Sequence, residues 1–143
     1  MNKNNNGALK FLGIVMIIFG PVYALLGTLS LIGIITGVLP GHENQDAIIV
    51  TLSYIIAIIA IVGGVISIKG KLDKAKIIGI VFTTIGLISL VYTQISQNTF
   101  NNFDCITIVL GLGITILSII AEKDKENIEK SKKSKHKKRE KSK

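Results

Sequence analysis

The sequence predicts an all-α integral membrane protein, with four transmembrane helices in a left-handed antiparallel bundle. Three observations carry this. Four long apolar runs divide the chain: 11–39, 47–68, 77–95 and 106–121. The connections between them alternate in charge. Small residues recur along every run at alternating spacings of three and four.

A run of about 18 or more uncharged apolar residues reads as a span, because about 20 helical residues cross the ~30 Å hydrocarbon core. Backbone polar groups find no water in lipid, so each span must satisfy its own hydrogen bonds as a helix. Barrel strands would alternate polar and apolar side chains, and Ile55-Ile56-Ala57-Ile58-Ile59-Ala60-Ile61 does not.

Residues 1–9 are polar and are read as a disordered cytoplasmic N-terminus, with Lys3 and then Lys10 ahead of the first span. That span, 11–39, is too long for a signal-peptide core and is read as uncleaved. A straight helix of this length would be about 43 Å long, so tilt or a run-on beyond the core is expected. Gly20-Pro21 predicts a kink, since proline removes a backbone bond and clashes with the preceding turn. Tyr23 follows directly, and its hydroxyl is expected to use the carbonyl that Pro21 frees. Pro40-Gly41 marks a turn, and Gly33-x-x-x-Gly37 is a dimerisation motif if it lies exposed.

The second span, 47–68, is the clearest, with 13 of its 22 residues Ile, Leu or Val. Lys69, Lys71, Lys74 and Lys76 then crowd one connection, before the third span, 77–95. The fourth run is short by itself and becomes adequate as 103–121 when Phe103–Cys105 join it. Together these spans make a transmembrane domain of residues 10–121. Tyr54, Tyr92, Phe100 and Phe103 are expected near the headgroups, where aromatic rings anchor helices. Cys105 is one cysteine, so no intrachain disulfide forms, and it reads as a small apolar filler.

Helix packing in lipid relies on close backbone approach over small residues. The expected contacts are Gly13, Gly20, Ala24 and Gly27 on the first helix, Ala57, Ala60 and Gly64 on the second, Gly79 and Gly86 on the third, and Gly111 and Ser118 on the fourth. Their period near 3.5 implies a left-handed supercoil. Lys10-Phe-Leu-Gly13-Ile14-Val15 is echoed by Lys76-Ile-Ile-Gly79-Ile80-Val81, and Gly20 by Gly86. This echo is either a duplicated hairpin or the chance likeness of two apolar segments.

The connections 40–46 and 96–105 contain no Lys or Arg, whereas 69–76 contains four Lys. Basic residues near spans stay cytoplasmic, so the protein is expected in the cell membrane with both termini inside. Residues 122–143 form a basic cytoplasmic tail. Residues 1–129 hold eight basic and eight acidic side chains, so the net charge of +8 resides in the last 14 residues. A helix is expected to continue through 122–129, supported by Glu126–Lys130 and Glu129–Lys133, with a disordered run after it. Lys132, Lys133, Lys135, Lys137, Lys138 and Arg139 are expected on anionic lipid, and no specific nucleic acid is implied.

No Asp, Glu, Lys, Arg or His lies within the four apolar cores, which argues against a proton-coupled carrier. Small multidrug exporters need a carboxylate in their first helix, and none is present. His42, Glu43 and Asp46 share one short loop and read as a solvated acidic loop. No nucleophile motif or phosphate-binding loop appears, so no catalytic, cofactor or metal residues are expected.

The basic N-terminus, the Gly-marked helices, the Lys-rich middle loop and tail, and Lys-x-x-Gly-Ile-Val with a Gly seven residues after its first resemble small four-span membrane proteins of Gram-positive bacteria grouped as domains of unknown function. The resemblance covers residues 8–121 and implies no site residues. The expected function is non-enzymatic, structural or accessory to a membrane complex, with the bilayer and either itself or another membrane protein as partners. A holin-like pore-former, a bacteriocin-type immunity protein, and an uncoupled channel or carrier lined by Thr83, Thr84 and Thr115 are the alternatives.

Overall fold

A computed structural model describes residues 3–32, 47–98 and 100–143. The Gly33/Gly37 motif, Pro40-Gly41 and the His42/Glu43/Asp46 loop lie outside the described residues. Among the described residues there are four α-helices and no strand: α1 (Lys3–Leu31), α2 (Ala47–Ile68), α3 (Leu72–Gln97) and α4 (Asn102–Lys141). Each is long and apolar enough to cross a membrane, which suits a multi-pass membrane protein.

The helix ends have local causes. α2 stops at Gly70, whose φ of +66° is left-handed and natural only to glycine. There the Gly70 N–H donates to the Ser67 carbonyl and the Lys71 N–H to the Ile66 carbonyl, so carbonyls left open by the helix end are satisfied. α3 closes on Asn98, also left-handed (φ 52°), whose N–H donates to the Gln94 carbonyl at 3.1 Å. α4 opens on Asn101, whose side chain accepts from the Phe103 N–H at 3.0 Å. This is an N-cap.

Several boundaries differ from the sequence reading. α1 begins at Lys3, inside the segment expected to be disordered, and stays helical through Pro21. α3 begins at Leu72, five residues before the apolar run, because Lys74 and Lys76 form helix as readily as they seek water. The polar connection expected at 96–105 is shorter, because α3 runs to Gln97 and α4 begins at Asn102. α4 does not end in a disordered run: it continues to Lys141. Its last twenty residues hold no Gly or Pro, and a helix already nucleated in the apolar segment propagates at little cost.

The neighbours are α1 with α2 and α3 with α4, packed most extensively, then α2 with α3 and α1 with α4. This is a four-cornered bundle made of two hairpins. The seams within the hairpins are built on missing side chains. A methyl at Gly13 would lie 2.8 Å from the Gly64 carbonyl oxygen, and one at Gly20 would lie 2.7 Å from the Ala57 carbonyl oxygen. At Gly27 it would meet the Ser53 hydroxyl at 2.7 Å, and at Gly86 the Thr107 methyl at 2.9 Å. Gly79 faces Thr115 and the Gly111 carbonyl, and Gly111 in turn faces Thr83. Ala60 is buried beside Gly20, and Ser118 is fully buried on α4. Ala24 is half-buried, and its carbonyl accepts the Thr28 hydroxyl at 2.8 Å.

Polarity is distributed opposite to that of a water-soluble bundle. Phe11, Ile14, Ile18, Ile58, Ile80, Val91 and Val109 point outward, whereas Ser53, Ser67, Ser89, Thr93, Asn101, Asp104, Thr107 and Ser118 are buried. Burying aliphatics from water drives soluble folding. A fold that exposes them and shelters hydroxyls is stable only where the surroundings are themselves apolar.

Candidate functional site: a buried carboxylate shared by three helices

Five of the buried polar residues, Ser89, Thr93, Asn101, Asp104 and Thr107, converge at the end of the bundle where α3 stops and α4 starts. On α1, Leu9, Met16 and Tyr23 are buried at seven-residue intervals, and on α3 so are Ala75, Phe82 and Ser89. The top positions of these two stripes, Tyr23 and Ser89, face the first turn of α4. Asp104 stands there with no exposed surface.

Both carboxylate oxygens of Asp104 are occupied. The Tyr23 hydroxyl donates to Oδ1 at 2.8 Å, and the Ser89 hydroxyl donates to Oδ2 at 3.0 Å. The Asn101 amide donates to the Tyr23 oxygen at 3.3 Å, so that hydroxyl both gives and receives. One carboxylate thus ties α1, α3 and α4 together. Its place in the first helical turn adds the favourable end of the helix dipole. Thr93 and Thr107 flank the cluster but bond to their own helices, donating to the Ser89 and Phe103 carbonyls, both at 2.9 Å.

An aromatic wall closes one side. The Tyr23 ring stacks on Phe103, with centroids 5.5 Å apart and planes 11° from parallel, and Phe19 leans on both. Phe103 is therefore a half-buried packing residue of this wall. Phe100 remains exposed. Tyr54 lies at the surface and shares a hydrogen bond with the Thr28 hydroxyl.

One sequence expectation is corrected here. Tyr23 does not turn to the carbonyl freed by Pro21. It bonds across the bundle to a residue 81 positions later. Nor does the sequence reading foresee that Asp104, two residues before the fourth apolar core, is fully buried in the bundle. Asp104 lies 17 residues before Ala121, or about 25 Å along the same helix. The spacing Asn101-x-x-Asp104 resembles a capping box, the signal from which this helix start was readable.

The opposite end carries an ion pair, Lys76 with Glu122 at 2.7 Å, which joins α3 to α4 just beyond the apolar segments. The threonines proposed for a lumen have other surroundings. Thr83 and Thr115 lie in the α3–α4 seam, donating to the Gly79 and Gly111 carbonyls, both at 2.8 Å, while Thr84 is exposed. Cys105 is a half-buried free thiol. Among the described residues, no group of three His, Cys, Asp or Glu side chains is placed to hold a metal. Lys132, Lys133, Lys135, Lys137, Lys138 and Arg139 are all exposed on the extension of α4.

Chemically, the cluster is a self-satisfied clamp. Its hydroxyl protons are committed to the carboxylate, and its carboxylate to the hydroxyls. A buried polar network of this kind fixes the mutual register of its helices when every member is paired. Comparison of the chain with known protein families, curated proteins and solved structures returns no match.

Proposed function

We propose that the protein is a non-enzymatic, multi-pass component of the cell membrane, structural or accessory to another membrane complex. The observation that carries this reading is the closure of the polar interior upon itself. Asp104, Tyr23, Ser89 and Asn101 bond to one another, and glycine seams bring the paired helices of each hairpin to backbone contact. The aliphatic outer faces are left for lipid or for a neighbouring membrane protein.

Both termini are cytoplasmic in this reading, because Lys10, the four lysines of 69–76 and the basic extension of α4 share one end of the bundle. The two hairpins are copies of one unit in a left-handed supercoil. The buried stripe Leu9/Met16/Tyr23 recurs 66 positions later as Ala75/Phe82/Ser89, and Gly13/Gly20 as Gly79/Gly86. A strict seven-residue repeat imposes that hand. Lys123 and Lys125, nearest the apolar segment, meet anionic headgroups. In this reading the chain is one of the small four-span membrane proteins of Gram-positive bacteria that its sequence resembles.

Induced expression with a potential-sensitive dye tests this function. Growth and membrane potential are expected to be unchanged, and the protein should migrate with a larger assembly in native gels of its own membranes. Abrupt depolarisation would replace this reading with the pore-former. Reporter fusions at Leu72, Asn101 and the C-terminus test the topology, and an external signal at Leu72 would overturn it.

A further inference from the structure

The extension of α4 carries a density of charge that neither the bundle nor its orientation requires. Lys130, Lys132, Lys133, Lys135, Lys137, Lys138, Arg139 and Lys141 stand on one continuous helix, with Glu140 as the acid among them, and all are exposed. At ~1.5 Å per residue this segment spans about 17 Å, giving one cation per ~2 Å of axis. Duplex DNA carries one negative charge per ~1.7 Å.

Continuity sets the distance from lipid. Lys135 is 14 residues past Ala121, or about 21 Å along the axis, and Arg139 about 27 Å. Headgroups occupy roughly the first 5–8 Å of that, and the Debye length at physiological salt is ~8 Å. Even a 40° tilt shortens the projection by only about a quarter. Lys137, Lys138 and Arg139 therefore stand more than a Debye length beyond the headgroup layer, while Lys132 and Lys133 stay within about one Debye length of it at that tilt.

Their angular distribution also argues against a flat partner. With about 100° between successive residues, the eight cations leave no gap wider than about 100° around the axis. A membrane contacts one face, whereas the major groove of B-DNA, ~12 Å wide, admits a whole α-helix and lines it with phosphates on both sides. Like charges also oppose each other along the empty helix, at Lys133–Lys137–Lys141 and Lys135–Arg139, which is unfavourable at i,i+4 spacing and is relieved by phosphate. The segment has no aromatic residue to read bases.

We propose that this helical rod binds the phosphate backbone of duplex DNA without sequence preference, tethering it near the membrane. The inference rests on the cytoplasmic placement of the C-terminus. The full chain in neutral phosphatidylcholine nanodiscs, which are open on both sides, is titrated with fluorescein-labelled 20-base-pair DNA. Expected are equal affinities for two unrelated sequences and a slope of log K against log salt near −4 to −6, as about five to seven released counterions give. Replacing Lys132, Lys133, Lys135, Lys137, Lys138 and Arg139 with Gln should weaken binding at least 30-fold. RNA duplex, whose major groove is deep and narrow, should bind at least threefold more weakly.

Polyglutamate of equal charge binding as tightly as DNA would replace this partner with an acidic protein. A fluorophore at Ser142→Cys (with Cys105→Ser) quenched by lipid-tethered quencher only in anionic discs would return the tail to the lipid surface and overturn the proposal, as would an unchanged affinity of the Gln variant. An external C-terminal reporter would instead refute the topology, while the discs still report on DNA binding.

Discussion

Tyr23 and Asp104 form the bond on which the clamp depends, and its strength is measurable. Tyr23→Phe removes one hydroxyl and leaves the ring, so stacking on Phe103 and Phe19 persists. The lost bond is short, 2.8 Å, between two groups with almost no exposure. Hydrogen bonds to charged groups contribute about 1.5–3 kcal/mol in soluble proteins, and interhelical ones in membranes average ~0.6 with a maximum near 1.7. Burial and a carboxylate acceptor place this one toward the upper end, so Tyr23→Phe should cost about 1–2 kcal/mol. In an Asp104→Ala background that acceptor is gone and only the longer 3.3 Å bond from the Asn101 amide is left to lose, so the same change should cost about 0.5 kcal/mol or less. The coupling energy is therefore about 1 kcal/mol. Reversible SDS unfolding of the four proteins in mixed micelles, followed by helical circular dichroism, gives it. Tyr54→Phe, whose hydrogen bond to the Thr28 hydroxyl is exposed, serves as a control and should cost under ~0.5 kcal/mol. A Tyr23→Phe penalty equal in both backgrounds would refute the clamp.

The same assay checks the seams and caps. Gly64→Ala adds a methyl 2.5 Å from the Gly13 carbonyl oxygen and should destabilise by about 1–3 kcal/mol, whereas Gly7→Ala meets nothing within 4 Å and should stabilise by about 0.5–1 kcal/mol. Equal effects at the two sites would contradict the close approach of α1 and α2. Gly70→Ala forces a Cβ into a left-handed turn at a cost of about 1–2 kcal/mol, while Asn98→Gly at the other left-handed position should be neutral or stabilising. Among the described residues the buried Ser118 hydroxyl has no hydrogen-bond partner, so Ser118→Ala should raise stability by about 1 kcal/mol; a loss of that size would reveal a partner for the hydroxyl.

The four helices were legible because lipid demands long apolar segments, and that demand is written residue by residue in Ile55–Ile61 and its equivalents. The small residues were legible for a related reason, since close helix contact selects glycine and alanine by size alone. What lay hidden was polar. Hydropathy treats Ser96–Cys105 as one loop, although Asn101 caps a helix there and Asp104 is buried in its first turn. Tyr23 and Ser89, 66 positions apart, look like isolated polar residues until the packing of α1 and α3 against α4 brings them to the same carboxylate. The reach of α4 to Lys141 was invisible to a reading built on apolar content, because lysine and glutamate favour helix as strongly as they favour water.

The clamp also bears on how the chain enters the membrane. On the insertion scale an Asp costs up to ~2.5–3.5 kcal/mol at the middle of a helix, and less toward its end. The fourth span is the shortest apolar run and carries that burden in its first turn. Its hydroxyl donors, Tyr23 on α1 and Ser89 on α3, are both synthesised before it. When α4 leaves the ribosome, the groups that neutralise its defect are already in the bilayer, so its insertion is coupled to docking on the earlier helices. Truncation after Gln97 would leave Tyr23 and Ser89 without their acceptor, and α4 expressed alone would lose the donors that make its entry favourable.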